Sequence, residues 1–115
     1  MHIQDLAQEI MAFRDARNWK QFHHVKDLLM GLNTEVGELA ELFLWKSDAE
    51  IEAIDAEDIA DELADIYVFL NYLANHFDVD LAQAVQRKLK KNDLKYPVEK
   101  SYNSNKKYNR LDETL

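Results

Sequence analysis

The sequence predicts an all-α protein, a helical bundle of four main helices whose core is shared between subunits of a homo-oligomer. Three observations carry this. The 115 residues include two Gly and one Pro, so the chain has few helix-breaking positions. Apolar residues recur every three or four positions, and no strand-like alternation is sustained. A chain of this length typically buries only about 65% of the surface its unfolded form exposes, so a second subunit is expected to complete a modest core.

A first helix is expected over about His2 to Arg17, with Ile3, Leu6, Ile10 and Phe13 on one face. After a link over Asn18 to His24, a second helix runs from about His23 to Trp45 on the stripe Val25, Leu28, Leu32, Val36, Leu39 and Phe43. Lys46 to Glu57 is acidic and loosely patterned, either a loop or a short helix. A third long helix, about Ala56 to Phe77, carries Ile59, Leu63, Ile66, Leu70, Leu73 and Phe77 at helical spacing. Asp78-Val79-Asp80 reads as a turn, with Asp80 the N-cap of a fourth helix. That helix must stop before Pro97, because the residue preceding a proline is pushed out of the α region. The expected organisation is one helical domain over residues 1–98 and a polar, basic tail over 99–115 that orders, if at all, on a ligand or partner.

With 14 Lys+Arg against 22 Asp+Glu the net charge is −8, but its distribution is uneven. From Glu35 to Asp65 there are 12 carboxylates and a single cation, Lys46, for a net −11. From Arg87 to Arg110, nine cations stand against Asp93 and Glu99, for a net +7. Zero Cys excludes a disulfide framework, thiolate metal sites and a Cys nucleophile. The stretch MHIQDLAQEI lacks a basic run followed by an apolar one, and nowhere do about 18 apolar residues stand together. A cytoplasmic protein without membrane partners is expected. Nucleic-acid binding through the basic segment is disfavoured, since the whole chain is acidic and no recognition motif accompanies the lysines.

Two carboxylate pairs stand at i, i+3 spacing, Glu35 with Glu38 and Glu62 with Asp65, so each pair occupies one helical face. Glu35 falls inside the apolar arc of its helix beside Leu28, Leu39 and Leu42, Glu38 lies at its edge, and Glu41 points further toward solvent. Glu62 and Asp65 flank their own stripe on the side of Phe69. One such pair is ordinary on an acidic surface helix, but two on separate apolar helices point to a bound cation, because converging ionised carboxylates repel and Lys46 is the only local counter-charge. All-oxygen ligands select hard ions, Mg²⁺ first and Mn²⁺ second. A di-iron bundle would show Glu-x-x-His, and here the i+3 residues are Glu38 and Asp65. On the fourth helix Lys88, Asn92 and Tyr96 form an i, i+4, i+8 stripe able to grip phosphate and sugar oxygens. Trp19, Phe22, His23 and Trp45 are candidates for a base-stacking pocket.

Taken together, Glu35-x-x-Glu38, Glu62-x-x-Asp65 and Lys88-x-x-x-Asn92-x-x-x-Tyr96-Pro97 resemble the all-α nucleoside triphosphate pyrophosphohydrolase superfamily, the MazG-like group. The segments Arg14 to His23, Gly37 to Lys46 and Lys95 to Val98 resemble its dCTP pyrophosphatase branch, in register over residues 5–98. The resemblance implies a helical homodimer or homotetramer, with Mg²⁺ held by Glu35, Glu38, Glu62 and Asp65. It implies cleavage of a nucleoside triphosphate between its α- and β-phosphates to the monophosphate and pyrophosphate. Trp19, His23 and Trp45 would line the base pocket, and Lys88, Asn92 and Tyr96 would contact phosphates and sugar. Two positions depart from the pattern: Phe69 stands where a tyrosine is expected, and Lys90 where a carboxylate is frequent.

The function expected is Mg²⁺-dependent hydrolysis of dCTP or modified pyrimidine triphosphates in nucleotide-pool cleansing, with Glu38 or Glu41 activating the attacking water. The alternatives are the same chemistry on oxidised purine triphosphates or dUTP, and a non-catalytic helical oligomerisation module.

Overall fold

The structure is a computed structural model that describes residues 1–113. Among them there is no strand, and six α-helices follow one another: α1 (Ile3–Ala16), α2 (Val25–Glu41), α3 (Asp48–Glu52), α4 (Ala56–His76), α5 (Leu81–Lys95) and α6 (Val98–Ser101). Short 3-10 turns occupy Trp19–Phe22 and Tyr108–Arg110. Four helices are long, as the periodicity predicts. Two compact units divide the chain, Met1–Val79 and the part from Asp80 onward.

The helix starts follow local chemistry. Asp55 caps α4, its Oδ1 accepting from Glu57 N at 3.0 Å, and Asp80 caps α5, its Oδ1 accepting from Gln83 N at 3.1 Å. Each cap satisfies an otherwise orphaned N–H and contributes about 1 kcal/mol. The segment after Lys46, open between loop and helix in the sequence, is the helix α3. Its trigger is a reciprocal capping box in which Glu50 N donates to Ser47 Oγ and Ser47 N donates to Glu50 Oε1, each at 3.2 Å.

Two sequence expectations are corrected. Helix α2 stops at Glu41, four residues before Trp45. Leu42 N and Phe43 N donate to the carbonyls of Leu39 and Ala40, tightening the last turn, and Lys46 Nζ donates to Leu42 O at 2.7 Å. Trp45 then takes a left-handed conformation (φ 62°), ending the helix without the glycine that usually signals such a stop. The segment after Pro97, expected as a tail waiting for a partner, folds locally as α6 and a 3-10 turn. Lys100 pairs with Asp112 at 3.1 Å, Arg110 with Glu113 at 2.9 Å, and Tyr108 packs edge-on to Tyr96 beneath Lys95.

In the first unit, α2 and α4 form the principal helix pair, and α1 adds a smaller contact on α4. The buried cluster is Ile10, Leu28 and Tyr72, with Leu6, Met11, Tyr67, Val68, Phe69 and Leu73 packed against it. Leu28, 3% exposed, and Ile10 belong to the predicted stripes, whereas on α4 the buried residues are Asn71, Tyr72 and Ala74. Leu63, Leu70 and Phe77 of the predicted stripe remain 52%, 39% and 60% exposed, because neither α1 nor α2 covers them.

Helices α2 and α4 run antiparallel in a simple register: facing residues have numbers that sum to about 100. Leu28 meets Tyr72 in the core cluster, Gly31 meets Phe69, Glu35 meets Asp65, and Glu38 meets Glu62. The second of these contacts fixes the helix separation. A Cβ on Gly31 would lie 2.8 Å from Phe69 Cζ, well inside van der Waals contact, so the ring rests directly on the α2 backbone. A mid-helix glycine usually costs about 1 kcal/mol relative to alanine, and here close packing offsets that cost.

Gly31→Ala is expected to destabilise the protein by roughly 1–3 kcal/mol in urea unfolding, since the overpacking penalty exceeds the propensity gain. In a Phe69→Leu background, where the ring is gone, the same change should become neutral or stabilising.

Candidate active site

One turn from the Gly31–Phe69 contact, three of the four carboxylates predicted from i, i+3 spacing converge. Glu35 on α2 and Glu62 and Asp65 on α4 each offer an oxygen within 4.8 Å of the others; Glu35 and Glu62 are half-buried and Asp65 is exposed. Glu38, exposed on the next turn of α2, is close enough to raise the pKa of both Glu35 and Glu62.

The electrostatics are those of uncompensated like charge. Glu35 is pushed up to about 7, first by loss of water and then by Glu38, Asp65 and Glu62. Glu62 is raised for the same reasons, desolvation first and Glu38 next. Glu35 Oε2 and Glu62 Oε2 are buried without any hydrogen-bond donor, and no ion pair among the described residues involves the four carboxylates. A buried carboxylate oxygen without a partner costs free energy unless a cation or proton meets it. The donor set is therefore suited to a hard divalent cation: several carboxylate oxygens, two of them unclaimed, with no nitrogen or sulfur ligand among them.

The remaining predicted residues are distributed as follows. Glu41 is exposed at the last position of α2, one turn beyond Glu38. Trp19 lies in the 3-10 turn, 42% exposed, edge-on to Phe13 at 5.8 Å, with Arg17 stacked on Phe13 at 3.6 Å. His23 packs against Tyr72, ring centroids 4.4 Å apart, and its pKa is lowered first by burial and then by Arg14, with Asp15 opposing. Trp45 is 92% exposed. Of the three aromatic residues of the expected base pocket, His23 lines a cavity of about 240 Å³ whose walls include neither tryptophan. Within the second unit, exposed Lys88 and half-buried Asn92 lie on α5, and Tyr96, 37% exposed, follows its last turn.

Sequence reasoning missed Arg14, Tyr72 and Asn75, which share that cavity with His23. Arg14 carried a readable signal. It stands four residues after Ile10, on the apolar face of α1, where a cation is out of place unless it serves a purpose, and it is 8% exposed. Phe69, noted as a departure from tyrosine, serves as the packing partner of Gly31 and Tyr72.

Two antiparallel helices that bring Glu35 of one and Glu62 and Asp65 of the other to one point, with Glu38 on the adjacent turn, define an all-α protein with an acidic helix-pair site. The chain belongs to the MazG-like family, whose sequence profile matches residues 31–111. It is 42% identical over 114 residues to dCTP pyrophosphatase 1 of Mus musculus and 37% to that of Homo sapiens, in each case over 95% of this chain and 67% of the relative. The crystal structure of a pyrophosphatase from Archaeoglobus fulgidus superposes with a TM-score of 0.76 at 35% identity, over 84% of this chain and 94% of that one. No helix among the described residues is long and apolar enough to cross a membrane.

The raised pKa of Glu35 predicts a pH dependence with a definite sign. Between the ordinary carboxylate range and about 7 the folded state binds more protons at this site than the unfolded state, so rising pH erodes stability through this window. His23, with a lowered pKa, acts oppositely below its ordinary value. The comparison with Glu35→Gln isolates the first effect. In EDTA the variant's melting temperature should gain on the wild type from pH 4.5 upward and level off above pH 7; a constant difference would contradict the assignment.

Proposed function

We propose that the chain hydrolyses nucleoside triphosphates between the α- and β-phosphates in a Mg²⁺-dependent reaction, with dCTP or modified pyrimidine deoxynucleotides as substrates. The chain is a nucleotide pyrophosphohydrolase, a hydrolase of acid anhydrides, as its MazG-like family membership and its likeness to dCTP pyrophosphatases support. The observation that carries the metal reading is the meeting of Glu35, Glu62 and Asp65 within 4.8 Å, with two buried carboxylate oxygens unclaimed.

In this reading Glu35, Glu38, Glu62 and Asp65 hold the cation, Mg²⁺ or in its place Mn²⁺. When bound, it supplies charge neutralisation at the phosphates and makes water more acidic. Glu38 or Glu41 orients the attacking water and takes its proton: Glu38 faces Glu62 across the helix pair, and Glu41 follows it by one turn. Lys88, Asn92 and Tyr96 are assigned to the phosphates and sugar, and Trp19, His23 and Trp45 to the base. The catalytic domain is proposed as residues 1–98, with 99–115 a basic appendage. The physiological role is removal of unwanted pyrimidine triphosphates from the nucleotide pool in the cytoplasm.

A homodimer or homotetramer belongs to the same proposal. It is supported by the exposure of Leu63, Leu70 and Phe77 along one stripe of α4, since each such side chain gains roughly 1.5–3 kcal/mol on full burial. A second subunit covering this stripe would complete the core. Sedimentation should return a dimeric or tetrameric mass, shifted toward monomer by Leu70→Glu; a wild-type monomer at micromolar concentration would refute the shared core.

A panel of deoxynucleoside triphosphates with Mg²⁺ tests the activity. Pyrophosphate release with the highest kcat/KM on dCTP or a modified pyrimidine is expected, and Glu62→Gln should lower kcat at least about 100-fold, equivalent to about 2.7 kcal/mol. Preference for an oxidised purine or dUTP would reassign the base, and no pyrophosphate from any substrate would defeat the proposal.

A further inference from the structure

We propose that the cavity walled by Arg14, Lys20, His23, Tyr72, Asn75 and His76 is a second anion site, taking a small phosphoryl anion of the pyrophosphate class without a metal ion. The cavity shares His23 with the base pocket proposed above, and it is tested without metal or turnover, so that its failure and a failure of the hydrolase reading are distinguishable.

The cavity measures about 240 Å³, several times the roughly 30 Å³ share of one water in the liquid, so it holds a phosphate-sized anion with some of its hydration. Its walls combine an arginine, a lysine and two histidines with a phenol and an amide, and they include no carboxylate. Arg14 is nearly buried, and Asp15 holds one edge of its guanidinium, a single Oδ1 accepting from Nε at 2.9 Å and lying 2.8 Å from Nη2. That grip orients the fork and leaves Nη1 without a protein acceptor among the described residues. An arginine fixed in this way presents planar donors suited to phosphoryl oxygens.

His23 adds a second unclaimed group, because its Nδ1 is buried with no hydrogen-bond partner. Its ring is held against Tyr72 at 4.4 Å, so the nitrogen is part of a positioned wall. Burial and the neighbouring Arg14 charge disfavour the imidazolium in the free protein, and an anion in the cavity would reverse that bias. Lys20 and His76 are exposed at the cavity and supply further positive charge and donors at its mouth.

The site is separate from the acidic one. Leu28, which lines the cavity, precedes Glu35 by seven residues on α2, while Tyr72 and His76 follow Asp65 by seven and eleven residues on α4. At about 1.5 Å per residue this places the cavity roughly 10–16 Å along the helix pair from the carboxylates. Repulsive carboxylates and an anion-binding cavity thus occupy different turns of the same two helices. The ligand can be free pyrophosphate or the phosphate of a nucleotide, which share the recognising chemistry.

Calorimetric titration of the intact chain with pyrophosphate in excess EDTA tests the proposal, because metal-bridged binding at the carboxylates is then removed. Saturable binding is expected, weakened at least tenfold by Lys20→Gln combined with His76→Gln and unchanged by Glu62→Gln. Displacement of pyrophosphate by dCMP would identify a nucleotide phosphate as the occupant, and no displacement would identify the free anion. Circular dichroism verifies that the variants fold, which is expected because Lys20 and His76 are exposed. No saturable heat from the wild type, undiminished binding to the double variant, or loss of binding in Glu62→Gln would each overturn the second site.

Discussion

The close approach of α2 and α4, with the Phe69 ring resting on the backbone of Gly31, is the contact on which the rest of the first unit depends. A single missing Cβ lets the helices come near enough for side chains on successive turns to meet across the pair. Toward one end the facing residues are Leu28 and Tyr72, which bury apolar surface. Toward the other they are Glu35 with Asp65 and Glu38 with Glu62, which repel. The antiparallel register therefore places attraction and repulsion in sequence along one seam, and the apolar end holds together what the acidic end would push apart.

This explains why carboxylates of a kind common on acidic helices become a site here. An exposed carboxylate keeps its water, whereas Glu35 and Glu62 have each lost water from one oxygen without gaining a donor. A proton relieves Glu35 only at the expense of the charge a metal ligand needs, and its elevated pKa expresses that conflict. A hard divalent cation resolves it by supplying positive charge to several oxygens at once. The fold thus tolerates poorly compensated acid at the position where the proposed cation would be held.

The same helix pair supports a second chemical environment at its apolar end, where Arg14 and His23 stand beside Tyr72. The sequence showed only scattered basic residues there, Arg14 on α1, Lys20 and His23 around the 3-10 turn and His76 at the end of α4. Their meeting is a tertiary event that no local spacing encodes. Trp19 and Trp45 illustrate the converse. Both belong to motifs that read as a base pocket, yet within this chain Trp45 is almost fully exposed and neither lines the cavity beside His23.

Residue periodicity, sparse Gly and Pro and the capping residues Asp55 and Asp80 were sufficient to determine an all-α chain with four long helices and nearly all their boundaries, because helix formation answers to interactions within a few residues. The i, i+3 carboxylate pairs were equally legible, since spacing along one helix fixes a shared face. Three features were decided only by the tertiary structure. The end of α2 before Trp45 depends on a left-handed residue that is not glycine. The burial of Tyr72 and Ala74 in place of Leu63 and Leu70 depends on which side of α4 its neighbours occupy. The convergence of Glu35, Glu62 and Asp65 depends on a helix separation set by Gly31 and Phe69, a contact between residues far apart in the chain, which periodicity along either helix does not specify.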